Sequence, residues 1–309
     1  MTVNAVEITD DFYFVQRGYL NSNHFVSRGE RPVLIDTGYV THLDNTKSIV
    51  AALGVDPNDV SLIVNTHCHC DHVGGNSFFQ ESAGCEVALH PLGKEWMEAR
   101  DDWNPWWSYF GQEAVFFDPT RVLEDGEKIP IGGKEWEVLY TPGHARDGIC
   151  LYSVEERILI SSDVLWGSDT PPMVPVIEGE GCLEDALYAL DRIEGLDVRL
   201  VFPGHGAPFE DVKTALSDTR GAIERYIERP EKMGWDLIKK AIIFQILMRT
   251  RVSEESFAAL ILGSKWYREF CDLYLDGEYE AVYSGIMTDF LERGVVFANC
   301  GCLGTVVNA

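Results

Sequence analysis

Short apolar runs, each closed by glycine, proline, aspartate or histidine, occupy the chain up to about residue 207. They are FYFVQ (12–16), NHFVS (23–27), PVLID (32–36), SLIVNT (61–66), EVALH (86–90), EWEVLYT (135–141), ICLYS (149–153), RILIS (157–161) and VRLVFP (198–203). Their length, β-branched content and punctuation predict strands that empty into loops. Helical patterns lie between them. In CLEDALYALDRIEG (182–195), Leu183, Ala186, Leu187, Leu190 and Ile193 fall on one stripe of a helix. RPVLIDTG (31–38) and RILISSD (157–163) are both strand-then-aspartate units, a faint echo of two related halves.

Beyond residue 207 the period changes. KTALSDTRGAIERYIE (213–228), WDLIKKAIIFQILMRT (235–250), ESFAALIL (255–262), SKWYREFCDLYL (264–275) and EYEAVYSGIMTDFLERG (278–294) suit helices. Ser253 and Ser264 are candidate N-caps; Gly263, Gly277 and Gly294 are candidate stops. VVFAN and LGTVVN, around CGC, then predict a β-hairpin. The reading is an α/β domain over 1–209 and a mainly helical domain over 210–309, winged-helix-like in its helices-then-hairpin order. Residues 278–309 hold one arginine and no lysine, which favours a structural or dimer-forming role over nucleic-acid binding.

Composition then changes the picture. At 309 residues and 46% hydrophobic, the chain can bury a sizeable core. The opening MTVNAVEITDDF has neither a basic nor an apolar leader region, and AIIFQILM (241–248) is too short to span a bilayer. Cys68, Cys70, Cys85, Cys150, Cys182, Cys271, Cys300 and Cys302 lack the spacing of a disulfide framework and read as reduced thiols. The expectation is a soluble cytoplasmic protein. A net charge of −25 argues against nucleic acid and acidic membranes as partners, and leaves a small-molecule substrate and a homodimer as the expected partners.

The candidate chemistry sits in VNTHCHCDHVGG (64–75), where three of eight histidines crowd into six positions with an aspartate. His67 and His69, two apart on an extended segment, point the same way. Asp71 and His72 follow in the turn, and Gly74-Gly75 allows a close entry into a helix. Imidazole and carboxylate suit zinc, manganese or iron. Alternation sends Cys68 and Cys70 to the opposite side as small buried hydrophobes. Three further runs end on such groups: LYTPGH on His144, ILISSD on Asp163 and LVFPGHG on His205.

This ordered set, LIDTG (34–38), H-C-H-C-D-H (67–72), TPGH (141–144), Asp163 and PGHG (203–206), resembles the metallo-β-lactamase superfamily over residues 8–207. The resemblance implies an αββα sandwich carrying a binuclear site. His67, His69 and His144 would bind one metal, Asp71, His72 and His205 the other, and Asp163 would bridge them. Asp36 would orient a ligand histidine. Two divalent ions, zinc by default with iron or manganese as alternatives, would supply a bridging hydroxide, and Asp71 would orient it and pass a proton to the leaving group.

Departures from individual branches narrow the expectation. Asp163 stands where the best-known β-lactamases place cysteine. His69 is retained where the diiron oxygen-reducing relatives carry glutamate. Trp166 occupies the position of a tyrosine in the acyl-homoserine lactonases. The layout looks most like the hydrolases related to glyoxalase II and to the lactamase-like endoribonucleases. An insertion, WMEARDDWNPWWSYFGQEAVFF (96–117), carries eight aromatic residues; Trp103, Trp106 and Trp107, with Trp166, are candidates for an apolar substrate wall. The expected function is hydrolysis of an ester, thioester or lactone of a small, fairly apolar molecule. A phosphodiesterase or nuclease, and a non-catalytic sensory protein that keeps its metal, are the alternatives.

Overall fold

The strand-forming runs assemble into two mixed sheets. The computed structural model describes residues 4–249, 251–299 and 301–309; Thr250, the end of one expected helix, and Cys300, one of the expected thiols, lie outside the described residues. The first sheet has seven strands in chain order: Ala5–Thr9, Phe12–Val15, His24–Ser27, Val33–Ile35, Leu62–Val64, Glu86–Leu89 and Arg121–Val122. Pairing is antiparallel up to Val33–Ile35 and parallel from there on. The second sheet has five, in the spatial order Leu200–Pro203, Ile158–Ser162, Ile149–Ser153, Lys134–Tyr140, Lys128–Ile131. Its parallel pair joins Ile158–Ser162 to Leu200–Pro203.

Each run read from the sequence contains a strand, its ends matching the run or displaced by one or two residues; Leu62–Val64 stops before Thr66. The strands that escaped the reading, Ala5–Thr9, Arg121–Val122 and Lys128–Ile131, all lie at sheet edges. An edge strand needs no continuous apolar run, and Pro130 is tolerated there because an edge has N–H positions outside the ladder.

The sheets pack face to face. Phe14, Phe25, Ile35 and Val64 from the first meet Trp136, Val138, Leu151, Ile160 and Phe202 from the second. The Phe14 and Phe202 rings sit 5.1 Å apart, and Trp136 meets Phe12 edge-on at 5.6 Å. Each such side chain contributes about 1.5–3 kcal/mol by leaving water. Ile149–Ser153 and Ile158–Ser162 are buried at every position, so both faces of that sheet are covered. The helices Leu43–Ala52, Asn76–Ala83 and Pro91–Ala99 connect strands of the first sheet, and Cys182–Glu194 connects strands of the second. This is the α/β sandwich expected. In Cys182–Glu194 the buried stripe holds Leu183, Ala186, Leu190 and Ile193, with Ala189 buried and Leu187 only half-buried.

The chain divides into two units, 1–221 and 222–309. The division falls within the helix Val212–Glu228. In the second unit, Pro230–Leu247, Glu254–Gly263, Lys265–Tyr274 and Tyr279–Glu292 are helices around Phe257, Ile261, Tyr267, Phe270 and Ile286. Ser253 caps the second of these by accepting from Ser256 N. The expected hairpin follows, Val296–Asn299 against Cys302–Thr305. Among the described residues no helix is long and apolar enough to cross a membrane.

Candidate metal centre

All the strand ends that the motifs mark open onto one edge of the sandwich. Val33–Ile35 delivers Asp36, held at φ 55°. Its Oδ1 accepts from Thr66 N at 2.9 Å, and its Oδ2 accepts from Thr66 Oγ1 and from His72 Nδ1, both at 2.8 Å. Asp36 therefore ties the end of its own strand to the loop after Leu62–Val64. It also aims His72 Nε2 at the interior of the site.

The loop after Val64 carries His67 and His69 before the short helix Cys70–Val73 begins. His67 Nε2 and His144 Nε2 each lie 3.0 Å from His69 Nδ1. The far nitrogens of His67 and His144 are occupied elsewhere. His67 Nδ1 lies 3.2 Å from Thr66 Oγ1 and 3.3 Å from Ser162 Oγ, and His144 Nδ1 donates to Pro172 O at 2.8 Å. On the other side, His205 Nδ1 donates to Gly18 O at 3.3 Å and His205 Nε2 lies 3.1 Å from Asp71 Oδ2. Asp163 Oδ2 stands between the groups, 3.5 Å from His144 Nε2, 3.5 Å from His72 Nε2 and 3.6 Å from His205 Nε2. Its Oδ1 accepts from Trp166 Nε1 at 3.2 Å.

The electrostatics divide the site. Burial, reinforced by neighbouring imidazoles, holds His67 and His69 well below the usual histidine pKa; burial likewise lowers His144, with Asp163 opposing it. Burial also works against charge on His72, but Asp36, Asp71 and Asp163 outweigh it and hold that ring well above the usual value. Asp163 and Asp71 raise His205 in the same way. Burial opposes charge on Asp163 too, yet the rings of His205, His72 and His144 keep it ionised. Three neutral imidazoles and an ionised carboxylate are the forms that ligate a cation.

These residues fit divalent metal. The facing nitrogens of His67, His69 and His144 place lone pairs against one another, and buried His72 Nε2, aimed into the site, has no hydrogen-bond partner. Unrelieved, such groups are costly; a cation among them turns the crowding into coordination. Three sets have ligand atoms within 4.8 Å of one another: His67, His69 and His144; His67, His72 and Asp163; Asp71, His72 and His205. All seven expected ligands are thus brought together. Cys68 and Cys70 belong to none of these sets, and burial raises both thiols well above their usual pKa.

Aromatic residues enclose the site. The Trp106 ring lies 3.8 Å from that of His69 and 5.1 Å from that of His144. Its Nε1 donates to buried Glu178 Oε1 at 2.5 Å, and Trp106 itself sits at φ 72°, an uncommon conformation for a bulky residue. Trp107 Nε1 donates to Cys68 O at 3.0 Å, clasping the ligand loop. Trp166 and Tyr19 pack near His205, with ring separations of 5.2 and 6.0 Å. Trp103 is 38% exposed and packs on Tyr109. The sequence reading missed Thr66, Ser162, Gly18 and Glu178. Thr66 and Ser162 adjoin marked ligands and were open to it; a backbone carbonyl and a glutamate brought in from a distant helix were not.

Fold and site together define a metal-binding α/β sandwich, and comparison with known proteins supplies the family. The chain belongs to the metallo-beta-lactamase superfamily, whose family model matches residues 18–205. It is 26% identical over 218 residues to a "Beta-lactamase-like protein 2 homolog" of Caenorhabditis elegans, covering 71% of this chain and 64% of that protein. It is 30% identical over 231 residues to an acyl-coenzyme A thioesterase of Homo sapiens, covering 63% of this chain and 78% of that one. The fold matches a crystal structure of a metallo-beta-lactamase family protein of Thermus thermophilus at a TM-score of 0.60 and 21% identity, over 96% of this chain and 98% of that one.

Proposed function

We propose that this chain is a binuclear metallohydrolase that cleaves a thioester, or a related ester or lactone, of a substrate with an apolar acyl group. The observation that carries the reading is Asp163 Oδ2, within 3.6 Å of nitrogens from both ligand sets. In this reading His67, His69 and His144 would hold one cation, Asp71, His72 and His205 the other, and Asp163 would serve both. The relative named as an acyl-coenzyme A thioesterase supports the choice of thioester.

Divalent ions in such a cage supply Lewis acidity and lower the pKa of water; zinc is the first candidate. The chain's own residues do the rest. Asp36 fixes the His72 ring through Nδ1, so that Nε2 keeps one direction. The Asp71 carboxylate orients the attacking water, accepts its proton and returns it to the leaving sulfur as the carbon–sulfur bond breaks. Trp106, with Phe110 5.7 Å away, excludes water from the acyl side. No serine or cysteine nucleophile is needed.

The test is turnover of a panel of acyl thioesters, lactones, phosphodiesters and β-lactams by protein stripped of metal and reloaded with zinc, manganese or iron. Thioester cleavage that vanishes on stripping and returns on reloading is expected. Cleavage confined to phosphodiesters, or thioester cleavage indifferent to chelation, overturns the reading.

A further inference from the structure

Arginines in the first unit commonly face acids: Arg28 faces Asp11, Arg121 Glu127, Arg192 Asp125 and Arg220 Asp191. Arg17 does not. In a chain with 50 Asp and Glu residues, its half-buried guanidinium forms no ion pair among the described residues. Burial pulls its pKa down to about 10 with no neighbouring acid to oppose the shift. Its side-chain contact is another basic group, Nε2 of buried His24, which also lies 3.0 Å from Thr46 Oγ1. His42 stands close enough that the same guanidinium charge lowers its pKa, after burial has done so.

Position gives this cluster its meaning. Asn21 Nδ2 donates to His42 Nδ1 at 2.7 Å, which assigns the proton of the neutral ring to Nε2 at a half-buried position. Asn21 Oδ1 accepts from Tyr39 N at 2.9 Å. One side chain therefore joins the loop that carries Arg17 to the loop that carries His42. Both loops also hold the metal centre. Gly18 O accepts from His205, Ser22 N donates to Asp71 O at 3.0 Å, Thr37 N donates to His72 O at 2.8 Å, and Gly74 N donates to Gly38 O at 2.7 Å. A guanidinium and an imidazole N–H, both partly withdrawn from water and unopposed by acid, are matched when a ligand brings the anion.

We propose that Arg17 and His42 form a subsite at the rim of the metal centre that binds an anionic group, phosphate or carboxylate, on the thiol half of the substrate. The assignment to the thiol half rests on the thioesterase reading above. In a thioester of coenzyme A or glutathione the anions belong to the thiol, and the acyl half is the part suited to an aromatic wall. The subsite thus sets the direction in which the substrate lies.

The test uses the metal-loaded protein and three thioesters of one acyl group: coenzyme A (phosphates), glutathione (carboxylates) and N-acetylcysteamine (uncharged). Arg17→Gln should lower kcat/KM for one anionic thioester relative to the uncharged one by about tenfold or more, through KM, and Arg17→Lys should recover part of the loss. The anionic arm that responds identifies phosphate or carboxylate. Equal losses on all three thioesters make Arg17 a support for His24 and overturn the proposal. Binding of free coenzyme A and free glutathione, titrated without turnover, separates this failure from failure of the thioesterase reading. At least one should bind the wild type and weaken about tenfold in Arg17→Gln. Equal affinities, or no binding to the wild type, overturn the subsite whatever the turnover result. His42→Gln, at the rim, is judged by the same measurements should Arg17→Gln fail to fold.

Discussion

Two substitutions isolate how single residues hold the centre. Asp36 touches His72 through Nδ1 and stands outside the seven proposed ligands. Asp36→Asn should lower metal affinity or activity by about 10–100-fold, since the carboxylate sets the ring's tautomer and basicity; metal titration of the stripped protein checks this, and affinity unchanged from wild type refutes it. Gly204 is constrained by space alone. A Cβ there would lie 2.0 Å from Asp163 Oδ1 and 3.0 Å from Ser162 C. Gly204→Ala must displace the carboxylate or the backbone beside it, with a cost of about 1–3 kcal/mol. Denaturant melts and metal content measured together are expected to fall together. A variant with wild-type stability and full metal occupancy would sink the argument.

At the scale of elements, the aromatic insertion and the short helix Pro175–Glu178 form a clasp. Glu178 Oε1 accepts from Trp106 Nε1, and its Oε2 accepts from Arg146 N at 2.7 Å. Burial pushes the Glu178 carboxyl up to about 8, with Asp147 adding to the rise and Trp106 and Arg146 opposing it. The folded protein therefore holds a proton that the unfolded chain, near 4.5, has lost. Stability from this group is full below the unfolded value and is lost as pH rises through about 8. Melts of Glu178→Gln and wild type at pH 5 and 9 should differ by a shift in the variant's favour at the higher pH, of order a few kcal/mol. The lost bond to Arg146 adds an offset that does not vary with pH, so the slope is the signature. A difference independent of pH would contradict it. The same scale explains what the pattern of apolar positions missed. Edge strands such as Lys128–Ile131 bury alternate residues only, and so resemble loops.

For the whole molecule, the centre is a bridge between the two sheets. His67, His69, Asp71 and His72 follow a strand of the first sheet, whereas His144, Asp163 and His205 follow strands of the second. Metal bound by residues of both would cross-link them and should stabilise the fold by mass action, about 2.7 kcal/mol at a hundredfold excess over Kd, raising the melting temperature. Chelation should reverse the rise, and Asp163→Asn should shrink it. A melting temperature indifferent to metal would mean that the ligand sets do not act together.

The sequence by itself determined the strand runs, the helical stripe at 182–194, the helices-then-hairpin order of the second unit, and the marked residues at 36, 67–72, 144, 163 and 205. These are local: a strand's period, a glycine's freedom and a histidine's identity are written in consecutive residues. Tertiary structure decided what depends on distance. It set Asp163 Oδ2 between imidazoles from separate loops, laid Trp106 on His69 and anchored it to Glu178, 72 residues away, and left Arg17 beside His24 and His42 with no acid paired to it among the described residues. Partners and burial are properties of the packed chain, and no short window of sequence contains them.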